Sequence, residues 1–448
     1  MKICFLLNPD KTIAQNYIIV KNLANELQKL GEEVCFVYPS FSHLDLKKII
    51  ENNKYSFFYF NPDRYVNNYL VDLKKFKKKP FELIRLLMSH PIYTFVYIYR
   101  RLKSGKLQSE NLSMKIADKF DDYNRLNSFD VVVGVSNPTY SSVALTYIKS
   151  KVVKIWYQID PFALNGMIDS EYKDQLINSE KNIYQAVDSI VMQPLAYQEL
   201  MNSLTLSEYA DKCIPMHFPL MTKKALSREY PVEHQFESGK INCVYAGAVA
   251  LAIRNPKYML ELFNLLATDN YCLHIWSRDD YSLNLKSNIE YGASNVYFHD
   301  GVDYERMMEI IPQADVLINL GNSISNQLPS KLLDYISFGL PIINIYKTDD
   351  CPARELVKHY ALGINISESE SLSESASKIK QFINYNLHKK LEWNIIEKQF
   401  SIYTPKSIAW DWELIMKADI KSKFHVESNT EGNPILNNCR RSDGEKNE

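Results

Sequence analysis

Short apolar runs alternate along the chain with amphipathic stretches of helical spacing. The first run is Ile-Cys-Phe-Leu-Leu at residues 3–7, after which Ile13, Tyr17, Val20, Ala24 and Leu27 recur three or four apart until Gly31. That spacing predicts one helix ended by the glycine. A second run, EEVCFVY, follows directly. Two parallel strands need a crossover between them, so strand, helix and strand in this order predict a parallel sheet. The grammar returns at FDVVVGVSNP, KVVKIWYQID and DSIVMQP. A polar stretch, TKKALSREYPVEHQFESGK, then interrupts it, and the alternation restarts with INCVYAG, YCLHIW, NVYFHDG, ADVLINLG, LPIINIY and LGINIS.

This pattern predicts two α/β domains, one over residues 1–218 and one over 241–400, joined by a linker at 219–240 and followed by a helical segment at 401–420. The length agrees, since 448 residues exceed what one hydrophobic core usually serves, and 46% hydrophobic residues suffice for two. From residue 421 to 448 apolar residues are few and have no period, which predicts a disordered tail.

Charge changes the picture only locally. The 52 Lys and Arg balance 53 Asp and Glu, which argues against a surface built for nucleic acid. Residues 74–106 are the exception, with ten Lys or Arg and one acidic residue, Glu82, interleaved with aromatic and long apolar side chains. Two readings stay open for this insertion: a helix laid on an anionic membrane surface, or a solvated basic segment packed on the first domain. Seven scattered cysteines without a CxxC pair predict neither a disulfide framework nor a zinc site. The chain starts on a strand-like segment without a leader pattern and has no apolar run of membrane-spanning length, so a cytoplasmic location is expected.

Candidate chemistry gathers at two helix entrances in the second domain. In CVYAGAVALAIRNPKYMLELF a strand ends at Gly247, Asn255 is placed to cap, and Pro256 suits a first helical position. Arg254 and Lys257 then flank a helix N-terminus, where a phosphate is stabilised. In NQLPSKLLDYISFGLPII, Pro329 leads in, Ser330 is placed to cap, Lys331 lies in the first turn and Asp334 one turn on. Lys331 suits a diphosphate, and the Asp334 carboxylate suits paired ribose hydroxyls. Either entrance alone is ordinary capping; two at strand ends of one domain point to a nucleoside diphosphate. No GxxxxGK[ST] or GxGxxG is present, so P-loop and dinucleotide readings lack their motifs. SRDD at 277–280 and KTDD at 347–350 read as solvated turns rather than metal sites.

The segments YAGAVALAIRNPKYMLELF, NVYFHDGVDYERMMEIIPQADVLINLG and NQLPSKLLDYISFGLPII, in this order and spacing, resemble the nucleotide-sugar-binding domain of GT-B glycosyltransferases. The nearest likeness is to the family 4-like group that builds bacterial capsular, exopolysaccharide and O-antigen chains. Members of that family carry two glutamates separated by seven residues, the second five before a glycine. Here Asp334 stands five before Gly339 and Asn326 eight before Asp334, a conservative change at the ribose position and a lost charge at the sugar position. The first half resembles the family only in outline. KIWYQIDPFALN occupies the place of an active-site loop in which members often carry a histidine; Ile159 stands there, followed by Asp160.

The resemblance implies a fold of two Rossmann-like domains facing across a nucleotide-sugar cleft. It implies an enzyme that transfers a sugar, with retention and without metal or other cofactor, from a nucleotide sugar to a hydroxyl of a glycan or glycolipid. Asp160 and Asn326 become the catalytic candidates. Gly247, Arg254, Lys257, Ser330, Lys331 and Asp334 are expected to bind the donor, and Asn8, Ser136 and Asn137 to line the acceptor side. Two rivals stay open: a catalytically silent GT-B-like partner subunit, which Asn326 and Ile159 favour, and a nucleotide-sugar epimerase, which the PSKLLDY segment disfavours.

Overall fold

The computed structural model describes residues 1–7, 15–39, 56–60, 107–135, 140–159, 163–164, 170–224, 236–247, 249, 254–277, 294–322 and 328–424. The chain divides into two compact units, Met1–His217 with Ala409–Glu448, and Phe218–Ile408. The basic insertion at 74–106 lies outside the described residues, as does the expected tail beyond Phe424.

In the first unit, strands β1 (Lys2–Leu6), β2 (Glu33–Pro39), β3 (Ser56–Phe60), β4 (Val131–Val135), β5 (Val153–Gln158), β6 (Ser189–Met192) and β7 (Cys213–Pro215) form one parallel sheet. Their order is β3-β2-β1-β4-β5-β6-β7. The helices are α1 (Gln15–Lys29), α2 (Leu107–Asn127), α3 (Tyr140–Ala144), α4 (Ser170–Ala186) and α5 (Pro194–Met201). Every residue of β4 is buried, the mark of a parallel strand covered on both faces. Phe120 from α2, Trp156 from β5 and Tyr184 from α4 share one core cluster. The pattern along the chain does not predict β3 and β7. The three residues of β7 are too few to show a period, and β3 has no helical pattern read beside it.

The second unit repeats the plan. Its elements are β8 (Ile241–Ala246), α6 (Lys257–Leu265), β9 (Tyr271–Ser277), β10 (Val296–Asp300), α7 (Tyr304–Ile310), β11 (Val316–Leu320), α8 (Ser330–Phe338), β12 (Ile342–Tyr346), α9 (Pro352–Lys358), β13 (Gly363–Ser367), α10 (Leu372–Asn386) and α11 (Trp393–Gln399). The strands run β10-β9-β8-β11-β12-β13, all parallel. The order reverses between β8 and β11, and in open α/β sheets that switch point opens a crevice at the carboxyl ends of the strands. Three asparagines cross the sheet in register. Asn319 Nδ2 donates to Asn344 Oδ1 at 2.7 Å, Asn344 Nδ2 donates to Asn365 Oδ1 at 2.7 Å, and Asn365 Nδ2 donates to the Arg354 carbonyl at 2.9 Å. Asn344 is fully buried, so this ladder satisfies amides that would otherwise be stranded.

The helical segment expected at 401–420 is α12 (Pro405–Phe424), which from Ala409 onward belongs to the first unit. Pro405 suits the first turn, and Thr404 Oγ1 accepts from Ser407 N at 3.4 Å. Trp412 of α12 is fully buried, its ring edge-on to Tyr157 at 5.0 Å and 6.5 Å from Phe5. Farther along, Ser189 Oγ donates to Asp419 Oδ1 at 3.0 Å and Lys423 pairs with Asp188 at 2.6 Å. Among the described residues no helix is long and apolar enough to cross a membrane.

Burial pushes the Asp419 carboxyl from the usual aspartate value of 3.8 up to about 6, and the Ser189 hydrogen bond offsets only part of that. The folded state therefore holds this proton more tightly than the unfolded chain does. The stability contributed is fully present below about pH 3.8 and is lost as pH rises through about 6. Asp419→Asn, which keeps an acceptor for Ser189, is expected to raise stability at pH 7.5 by on the order of 2 kcal/mol. The gain should vanish near pH 4. Calorimetric melting of both proteins across that range checks it, and a gain independent of pH would reject the assignment.

Candidate functional site

Of the residues singled out in the second unit, Gly247, Lys331 and Arg254 stand where the strand order reverses, at the ends of β8 and β11. Strand β8 ends at Ala246, and Gly247 N donates to the Trp276 carbonyl at 3.0 Å, tying the ends of β8 and β9 together. A Cβ at Gly247 would stand 3.0 Å from the Tyr245 hydroxyl and 3.3 Å from Lys331 Nζ, so the glycine leaves room for the lysine head. Lys331 Nζ donates to the Ala246 carbonyl at 2.9 Å, and Ala246 N donates to the Tyr335 hydroxyl at 2.8 Å. The first turns of α8 are thereby docked on the end of β8. Burial holds the Tyr335 phenol well above its ordinary range, so it stays protonated. Across the reversal, Arg254 Nε donates to Oδ1 of the buried Asn322 at 2.7 Å. The segments that follow β8 and β11 are joined by this bond.

Asp334 sits deeper on α8. Its Oδ1 accepts from Lys224 Nζ at 2.5 Å and from the Tyr304 hydroxyl at 3.0 Å, while Lys224 Nζ also donates to the Tyr304 oxygen at 3.2 Å. The lysine side chain is 10% exposed and the aspartate 3%. Burial, then the adjacent carboxylate, pushes the Tyr304 phenol well above its usual range, so it serves as a donor. Asp303 caps α7 immediately before Tyr304, accepting from Arg306 N at 2.9 Å, and so fixes the helix start that carries the phenol.

The expected caps need correction. Ser330 is the first residue of α8 and does not cap it. Pro329 holds the cap position in extended conformation, with no side-chain bond, and its carbonyl accepts from Leu332 N at 2.9 Å. Lys257 is 60% exposed and pairs with Glu261 one turn along α6 at 3.8 Å, a surface pair on its own helix. Asn255 Oδ1 accepts from Lys257 N at 3.0 Å, but Pro256 rather than Asn255 holds the cap position of α6, and its carbonyl accepts from Leu260 N at 2.9 Å. Asn8, Ser136, Asn137, Asp160 and Asn326 lie outside the described residues. The buried Glu180 accepts from Ala163 N at 2.9 Å, from Gln158 Nε2 at 2.7 Å and from the Tyr184 hydroxyl at 2.9 Å. It anchors the chain just past β5. In the KTDD turn, Asp349 is 90% exposed and bonded to Arg354. Among the described residues no group of three or more His, Cys, Asp or Glu is placed to hold a metal ion.

Sequence reasoning missed Lys224, Tyr304, Tyr335 and Asn322. Lys224 falls in the polar stretch read as linker. Tyr304 and Tyr335 lie inside the segments that carry the resemblance, and no spacing or motif there singles them out. Asn322 follows a strand end, and that position was its only signal.

Residues 227–399 match the model of the family described as glycosyl transferases group 1. Among solved structures the chain is similar to a sucrose-phosphate synthase from Thermosynechococcus elongatus, with TM-score 0.62 and 10% identity over 94% of this chain and 100% of that one. The fold is GT-B. Within the GT-B likeness the chain is also similar to HepE from Anabaena, solved in complex with UDP and glucose, with TM-score 0.60 and 12% identity over 93% of this chain and 100% of that one. A UDP-GlcNAc 2-epimerase from Methanocaldococcus jannaschii is similar at TM-score 0.55 and 11% identity, over 93% and 100%. GT-B architecture thus serves transferases and epimerases alike, and likeness at such identity speaks to fold alone. No curated protein matches the sequence.

Proposed function

We propose that the chain is a metal-independent, retaining glycosyltransferase. Its donor is a nucleoside-diphosphate sugar, and its acceptor a hydroxyl of a growing, lipid-linked cell-surface polysaccharide. The observation that carries the reading is that Lys331 is held beside Gly247 at the end of β8 and Arg254 on Asn322 after β11, on the two sides of the switch point, in a chain whose residues 227–399 match group 1 glycosyl transferases. A departing nucleoside diphosphate carries growing negative charge. A lysine and an arginine, each held at one atom by a backbone carbonyl or a buried amide, meet that charge without having to be ordered during the reaction. Asp334, one turn behind Lys331, takes the ribose. Asp160 and Asn326 act on the transferred sugar, and Asn8, Ser136 and Asn137 on the acceptor. The basic segment at 74–106 brings the enzyme to an anionic membrane surface, where a lipid-linked acceptor resides.

Arg254→Ala and Lys331→Ala are each expected to weaken binding of UDP, GDP or ADP by about 1.5–3 kcal/mol, the range for hydrogen bonds to charged groups. Titration calorimetry measures this, and unchanged affinity in both variants would move the nucleotide elsewhere. For the activity itself, purified protein is incubated with a panel of nucleotide sugars and a glycolipid extract of its host, and products are read by mass spectrometry. Release of nucleoside diphosphate with a glycosylated lipid supports the transferase. Binding without release supports the silent partner subunit, and recovery of an epimerised sugar nucleotide supports the epimerase.

A further inference from the structure

Among the described residues, the closest buried ion pair of the second unit joins two positions far apart in the chain, Lys224 and Asp334. Charge is not needed there for packing: an apolar pair of equal volume would fill the space without losing two hydration shells. Both contacts to the carboxylate fall on one oxygen, Oδ1, and among the described residues no hydrogen bond is made to Oδ2. The phenol of Tyr304 closes the triangle, reaching Asp334 at 3.0 Å and Lys224 at 3.2 Å, with the lysine head 5.9 Å from the tyrosine ring centre. A carboxylate fixed through one oxygen by a cation and a hydroxyl cannot rotate. Its second oxygen is aimed in one direction and remains a charged acceptor.

We infer that Lys224 and Tyr304 are positioning residues that hold the Asp334 carboxylate so that Oδ2 accepts from the vicinal hydroxyls of a ribose. The inference rests on the reading of this unit as a nucleotide-sugar domain and adds to it the two groups that make its ribose contact selective. Lys224 comes from the segment after β7 and Tyr304 from the start of α7. The orientation of a residue on α8 is thereby set by two other parts of the same unit. Lys331, which meets the diphosphate, has a separate anchor on the Ala246 carbonyl. Ribose selectivity and diphosphate affinity should therefore vary independently.

The test compares UDP, GDP and ADP with their 2′-deoxy counterparts by calorimetry, in wild type, Lys224→Met, Lys224→Arg and Tyr304→Phe. Wild type is expected to bind the ribonucleotide roughly tenfold or more tightly, as a hydrogen bond to a charged acceptor implies. In Lys224→Met and Tyr304→Phe that ratio should fall several-fold towards one, while affinity for the deoxy form stays within about twofold. Lys224→Arg should restore the ratio, because guanidinium also bonds a carboxylate. Equal weakening of both nucleotides would mean a merely structural role and overturns the inference, as does an unchanged ratio. If Lys224→Met fails to fold, Tyr304→Phe carries the same comparison. A wild type that binds none of the six nucleotides rejects the nucleotide-sugar reading itself. One that binds and discriminates while the variants keep its ratio rejects only the positioning role.

Discussion

Asp334→Ala is expected to destabilise the second unit by about 3–5 kcal/mol, because it leaves the Lys224 ammonium buried without its counter-charge. The pair is 10% and 3% exposed, and its separation is 2.5 Å, so solvent offers little relief. Lys224→Met alone should cost a similar amount, stranding the carboxylate instead. The double variant Lys224→Met/Asp334→Leu should recover most of the loss, since apolar replacement of both partners removes the desolvation penalty on each side. Calorimetry on ligand-free protein, following the transition of the second unit, measures the four corners of this cycle. Additive losses in the double variant would show that the pair is not coupled. The cycle also bears on donor binding: with Asp334 taking the ribose as proposed, the recovered double variant should still bind nucleotide weakly, because stability returns without that carboxylate.

Gly339→Ala should be nearly as damaging, for an unrelated reason. The glycine ends α8 at φ +75, in the left-handed region. An added Cβ there would stand 2.3 Å from the Leu391 carbonyl oxygen, and that same residue donates its N–H to the Gly339 carbonyl at 2.9 Å. A left-handed alanine costs roughly 1–2 kcal/mol and a forced backbone shift about 1–3 more. A loss of about 2–5 kcal/mol in the same calorimetric transition is expected. A change below about 1 kcal/mol would mean that the 387–392 segment moves freely off the helix end.

Apart from β3 and β7, the strands of both sheets were legible because parallel strands between helix layers read as short continuous apolar runs. LPIINIY and ADVLINLG could hardly be anything else. The places of Gly247 at a strand end and of Lys331 in the first turn of a helix were legible as well, since both features are local in sequence. The partners of Asp334 were not. Lys224 lies 110 positions away, in a stretch whose composition says linker, and only the folded chain brings it to the carboxylate. The partner of Lys257 was not read either: on a helix the next turn offers the nearest counter-charge, here Glu261. Ser330 lost the cap to Pro329 because the proline already holds the extended backbone that a cap position needs.

The asparagines that cross β11, β12 and β13 act as a key between strands. Apolar neighbours such as Ile343 and Ile345 fit several alignments about equally well, so packing alone discriminates poorly among them. A slip of one residue would send the three amides to the wrong face, and a slip of two would part them from one another, each time leaving donors and acceptors unmatched inside the sheet. Misaligned assemblies of this half are thus raised in energy together, at one place, by groups that add little to the correct one. That half of the sheet carries α8 between β11 and β12, so the same proofreading fixes the height at which Lys331 and Asp334 enter their site.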